Sequence, residues 1–368
     1  MTRTLMLREL NRATLARQML LTRKTAPVME AVERLIGLQS QIPNPPYIGL
    51  WTRLQDFQRV DLTQLMEQRQ IVRAAMMRST LHLVSAADHQ RFRSALQPAL
   101  VKALSAFFGA RAKVLDIAQL VEAAREYLAV APRSTGELKK RLLEIAPDCD
   151  ADAMAYAVRA YLPLIQVPPG GTWGTGSMAA YVTADTWLGE NTMSESLQQL
   201  FFRYLAAFGP ASIMDFQTWS GLVNLKSVLE PFKAELIVYR DEQGKELLDL
   251  PDMLLPDADT IAPIRFIPEY DNLLIAQADR RRIIADEDRP KVFLSSARVR
   301  ATFLVDGFVR GTWKTERVKK AATLIIEPFA VLPNEVREAL VDEGERLITF
   351  IEVEADAYRV QFADTNQG

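Results

Sequence analysis

The chain has 368 residues, 49% of them hydrophobic and 24% charged, with a net charge of -2, a balance that excludes a disordered or fibrous protein and leaves two or three packed globular domains. No apolar run approaches the roughly 18 to 20 residues of a membrane span, the start Met1-Thr2-Arg3-Thr4 lacks the apolar core of a signal peptide, and Cys149 with His82 and His89 cannot build a zinc site, so a cytoplasmic protein without a metal is expected. The small net charge hides a division: residues 1–113 carry 17 Lys plus Arg against 7 Asp plus Glu, and the remainder 27 against 39. A basic segment of this size is what a phosphate-binding surface requires, although arginines solvating separate helix faces give the same sum.

Apolar residues at three and four spacing predict helices over 8–21 and 28–38, and Asp61 opens a third over 61–69. Strands follow at 71–77 and 80–84, around Arg78-Ser79, which is the order of a winged helix. The order recurs over 117–187: a helix at 117–128, a capping-box start at Ser134 and Glu137, a helix at 151–159, then strand, glycine-rich loop and strand. A third copy begins at Ser194, with helices to 208 and over 213–220 and a strand at 236–240. Strand-like segments at 264–267, 283–284, 300–305, 308–313 and 323–326 follow, with Asp306-Gly307 as a type I′ hairpin turn and two helices at 334–344 and 345–354. The expected fold is α+β: winged-helix-like units at 1–114, 115–190 and 191–256, then a β-barrel-like domain at 257–368.

The most informative segment is Leu38-Gln39-Ser40-Gln41-Ile42-Pro43-Asn44-Pro45-Pro46-Tyr47. An offset of two residues is about 200° around a helix, so Gln39 and Gln41 share a face only if the prolines unwind the chain near Ile42. Amides orient water or a base edge but take no proton as a carboxylate would. The common alternative is an ordinary helix end with exposed amides. Asn44, Tyr47 and Trp51 add a polar group and two rings, which suit a nucleobase as well as a core. The Gly174–Ala179 stretch matches a dinucleotide fingerprint outside any strand–helix context, and Asp148, Asp150 and Asp152 lack the rest of a calcium loop. No nucleotide or other cofactor is expected.

The segment 36–51 resembles the signature of the AlkZ-type DNA glycosylases, a bacterial family of tandem winged helices. The resemblance continues through Arg78-Ser79-Thr80-Leu81-His82-Leu83, Arg265-Phe266-Ile267-Pro268-Glu269-Tyr270-Asp271-Asn272 with Arg280-Arg281-Arg282, and Val305-Asp306-Gly307-Phe308-Val309-Arg310-Gly311-Thr312-Trp313. It implies a catalytic Gln-x-Gln, matched by Gln39 and Gln41, a β-hairpin near the lesion, and a monomer acting on double-stranded DNA that carries alkylated purines, nucleoid-associated when bound. The activity it implies is release of N7-alkylguanine, with unhooking of interstrand crosslinks in repair or self-resistance. Asn44, Tyr47, Arg78, His82, Arg280, Arg281, Arg282, Arg298, Arg300, Asp306 and Gly307 are the expected DNA contacts, while Glu269 and Asp271 read as structural carboxylates linking the β domain to these arginines. A winged-helix regulator without catalysis is the competing reading. Against it, the recognition-helix position 213–220 holds no Lys or Arg.

Overall fold

A computed structural model describes residues 2–176, 179–190 and 196–363. Ser177 and Met178 of the glycine-rich stretch, and Ser194, lie outside them. In chain order the strands are β1 (Thr4–Leu5), β2 (Leu38–Gln39), β3 (Ile71–Ala75), β4 (Leu81–Ser85), β5 (Arg133–Ser134), β6 (Leu164–Gln166), β7 (Ala180–Thr183), β8 (Ile237–Asp241), β9 (Glu246–Asp249), β10 (Arg265–Ile267), β11 (Thr302–Val305), β12 (Phe308–Val318), β13 (Ala321–Pro328) and β14 (Ala357–Phe362). One sheet runs β2-β4-β3-β6-β7-β5. It crosses position 114 because β3 pairs with β6, Arg73 opposite Gln166 and Ala74 opposite Ile165. The first two expected units therefore share a sheet and one apolar core, which continues into Tyr204, Phe208, Phe216 and Trp219. The second sheet, β1-β8-β9, ties the N-terminus to the third unit through the parallel β1–β8 pair.

The C-terminal sheet, β10-β11-β12-β13-β14, is open and not barrel-like. Its last pair is parallel, because the chain between β13 and β14 forms a helix, Asn334–Ile351, that buries Leu340, Leu347 and Ile348. A parallel pair needs such a crossover, and with the helix covering its apolar side chains the sheet need not close on itself. The two helices expected at 334–354 are this one, and Ile283-Ile284 form a turn rather than a strand.

The helix expected over 28–38 stops early, and this sets the site. It spans Val28–Arg34, called α1 here, and Ile36 and Gly37 then adopt φ of 52° and 87°. Gly37 N bonds to Val32 O at 2.9 Å and Ile36 N to Glu33 O at 3.1 Å, the pairing that ends a helix through a left-handed residue. A Cβ on Gly37 would stand 2.5 Å from Val84 Cγ1 and 2.8 Å from Leu83 O, so only glycine lets β2 lie against β4. The prolines act opposite to expectation. Pro45 and Pro46 open a helix, Pro45–Trp51 or α2, at first-turn positions where a missing N–H costs nothing.

Much of the basic excess of the first third is spent internally. Arg17 pairs with Asp249 at 2.7 Å, Arg53 with Asp271 at 2.8 Å and Arg23 with Glu343 at 2.5 Å, all largely buried, and Arg8 and Arg12 both grip Asp306. The charge division thus clamps the acidic remainder of the chain onto the basic part, in addition to anything it offers a phosphate.

Candidate active site

Gln39 ends β2 opposite His82 of β4, and Leu38 stands opposite Leu83. Alternation along a strand then sorts the side chains. Gln39, His82 and Ala74 share one face, while Leu38, Leu83 and Arg73 share the other. The Gln-x-Gln pair thus begins on an edge strand and not at an unwound helix end, so spacing by two now favours a common side. Gln39 is 8% exposed. Its Oε1 accepts from Arg78 Nη2 at 2.8 Å, and Nε2 has no acceptor among the described residues. Gln41 is exposed, with its Oε1 at 3.4 Å from Leu81 N.

Arg73 holds this segment from behind. Its guanidinium donates to Ser40 O at 2.5 and 3.0 Å, to Ser40 Oγ at 3.1 Å, to Gln41 O at 3.3 Å and to Gln166 Oε1. Burial lowers its pKa. Gly171, at φ 87°, makes room: a Cβ there would fall 2.4 Å from Arg73 Cδ.

Arg78 lies in the turn between β3 and β4. Its Nη1 donates to Trp219 O at 2.5 Å and its Nη2 to Asn272 Oδ1 at 3.1 Å as well as to Gln39, while Asn272 Nδ2 donates to Gly37 O at 3.2 Å. Burial first, and Arg280 second, bring its pKa down to about 10. It remains cationic near neutrality. His82 is fully buried, and burial, then Arg78, push its pKa down to about 3. Its Nδ1 lies 3.0 Å from Thr80 O, a contact that assigns the proton to Nδ1 and leaves Nε2, which has no partner among the described residues, as an acceptor. His82 is therefore neutral and offers no charge to a phosphate.

The other expected contacts scatter. Tyr47 is buried in the core, bonded to Thr63 Oγ1 at 2.9 Å and edge-on to Trp173 at 5.6 Å. Asn44 Oδ1 accepts from Gly174 N at 2.9 Å. Arg282 is buried and donates to Pro210 O at 3.0 Å, Arg281 pairs with Asp279 at 2.6 Å, Arg300 pairs with Glu327, and Arg280 lies over the Phe293 ring at 4.2 Å. Arg298 is exposed and makes no ion pair among the described residues. The Asp306-Gly307 turn is docked, with Gly307 O accepting from Asn11 Nδ2 at 2.8 Å and Asp306 held by Arg8 and Arg12. Asp271 is structural, but its partner is Arg53 and not the 280–282 run. Glu269 is half-buried, and burial raises its pKa.

Sequence reasoning passed over Arg73 and Asn272. No local pattern distinguishes a strand arginine, and Asn272, although it closes the resembling segment 265–272, carries no local sign of what it binds. Their partners lie tens to hundreds of residues away.

A sequence model of the AlkZ-like DNA glycosylases matches residues 32–350. The chain belongs to the AlkZ-like DNA glycosylase family. No curated protein matches it. Among solved structures, the Streptomyces sahachiroi DNA glycosylase AlkZ is similar over 98% of this chain and 100% of that one, with a TM-score of 0.79 and 19% identity, a likeness of fold. Membership implies a DNA substrate, and it makes the amide pair at the end of β2 and just beyond it the first place to look for the chemistry.

Proposed function

We propose that the protein is a monofunctional DNA glycosylase that hydrolyses the N-glycosidic bond of N7-alkylated guanine and leaves an abasic site. The observation that carries this reading is a pair of neutral amides, Gln39 and Gln41, the first bonded to a cation, Arg78, that has no carboxylate among its hydrogen-bond partners in the described residues. Such a site is poor in acid and base. It suits a base that alkylation has already made cationic, whose departure needs no protonation. The protein's task is then to orient water and stabilise oxocarbenium character in the sugar. Arg73 fixes the backbone at Ser40 and Gln41, and the exposed Gln41 amide is the group free to hold water.

The duplex lies across the tandem winged-helix-like units of the first 256 residues, and a single copy of the chain acts without a nucleotide cofactor. An exposed Gln41 does not demand full extrusion of the base, so bulky N7 adducts, including interstrand crosslinks, fall within the same reading. The test is base release from a duplex containing 7-methylguanine by wild type, Gln39→Ala and Gln41→Ala. Release that survives both substitutions overturns the site. No release from methylated or crosslinked duplex overturns the activity and favours a non-catalytic DNA-binding protein.

A further inference from the structure

Arg78 and Ser79 are consecutive non-glycine residues in the left-handed region, at φ 55° and 58°, a conformation that persists only where its surroundings impose it. They do so here. Met76 N bonds to Thr80 O at 3.0 Å and Ser79 N to Met76 O at 3.1 Å, Ser79 Oγ meets Tyr156 OH at 2.9 Å, and Gly221 packs so closely that its Cβ would stand 3.0 Å from Arg78 Cα. The strained turn delivers a guanidinium to three acceptors from distant segments, Trp219 O, Gln39 Oε1 and Asn272 Oδ1.

None of the three is a carboxylate, so the site carries a half-buried cation, its pKa lowered first by burial, without a counter-ion among the described residues, an arrangement folding alone does not favour. Capping the helix Ile213–Ser220 at Trp219 O needs only Nη1. Nη2 is given to the amides of Gln39 and Asn272, and Asn272 is itself held by Gly37 O. Arginine has donors and no acceptor. The Gln39 amide must therefore turn its oxygen toward Arg78 and its NH2 away.

Resting on the glycosylase reading above, we propose that Arg78 is the positioning residue of the Gln39 amide, locking its oxygen inward so that Gln39 meets the substrate as an N–H donor to an oxygen acceptor of the scissile nucleotide. Arg78, expected to grip DNA directly, then acts through Gln39, and the water-accepting role falls to Gln41.

The experiment compares Arg78→Asn, which tolerates the left-handed backbone, and Arg78→Lys, which keeps the charge but loses the fork, each alone and with Gln39→Ala. Single-turnover base release, duplex Kd and the Gln39 side-chain NH2 resonances of the free protein are read. Arg78→Asn lowers the single-turnover rate about 10²-fold with little change in Kd, and Arg78→Lys restores part of it. In the Gln39→Ala background Arg78→Asn changes the rate by less than about twofold. The Gln39 NH2 signals shift in Arg78→Asn while those of other glutamines stay. A weaker Kd with an unchanged saturated rate, multiplicative losses in the double variant, or unmoved Gln39 signals overturns the proposal. If wild type releases no base, the glycosylase reading fails while the resonances still decide whether Arg78 orients Gln39. If Arg78→Asn does not fold, Arg78→Gly, which relieves the strained φ, carries the same test.

Discussion

Asp271→Ala tests the tie between the basic first third and the C-terminal sheet. Asp271 makes two 2.8 Å bonds to Arg53, its Oδ1 also accepts from Leu273 N at 2.9 Å, and the side chains are 3% and 1% exposed. Removing the carboxylate leaves a buried guanidinium with only carbonyl and amide partners, Gly49 O at 2.9 Å and Gln18 O at 3.1 Å among them. Breaking one side of a buried pair costs about 3–5 kcal/mol, of which the lost cap on Leu273 is about 1. At about 2.1 cal/mol/K per residue, a chain of this length changes stability by roughly 0.8 kcal/mol per degree, so Tm falls by about 5 °C if the chain melts as one unit. Arg53→Met/Asp271→Ala removes the orphaned charge, and its loss is expected to be smaller than the sum of the single losses by about 1–3 kcal/mol. Differential scanning calorimetry of the four proteins is the assay. Because Asp271 precedes Asn272, which holds Arg78, base release by Asp271→Ala slows even at temperatures where the protein stays folded. An unmoved Tm in Asp271→Ala, or single losses that simply add, refutes the reasoning.

Gly37→Ala forces a side chain onto Val84 at φ 87°, so a loss of at least about 1–3 kcal/mol is expected in chemical denaturation, together with slower base release as β2 is displaced; full activity would show that β2 tolerates movement. His82 and His89 are buried and held at about pKa 3, burial being the first cause for both. The unfolded chain takes up protons at these positions below about pH 6.5 while the folded chain does not, so Tm falls as pH drops from 7 toward 5, each histidine contributing up to about 1.4 kcal/mol per pH unit. A Tm that stays flat across that window counts against burial of both rings. Since no lysine bonds to the amide site among the described residues, borohydride added during turnover is expected to trap no covalent protein–DNA adduct on a denaturing gel, and a trapped band would require an amine nucleophile.

Local signals were legible. The α+β class and the helices at 117–130, 135–145, 151–161 and 213–220 follow from spacing and caps that a helix carries in its own residues. The Asp306-Gly307 turn forms as its residue types demand, with φ of 49° and 81°. Proline misled because its meaning depends on position: the same residue ends one helix and opens another, and Pro45 opens α2.

The sequence by itself determined which chemistry is available at the candidate site, two amides without a neighbouring carboxylate, because residue type alone sets what can accept or give up a proton. Only the tertiary structure decided how they are presented. Pairing of β2 with β4 put Gln39 opposite His82, and Gln39, Trp219 and Asn272 met around the Arg78 guanidinium across as many as 233 positions of chain. It also decided where the basic excess goes, much of it into ion pairs with acids of the C-terminal half. Both outcomes are long-range pairings, chosen by shared burial and by matching donors with acceptors, and neither leaves a local mark.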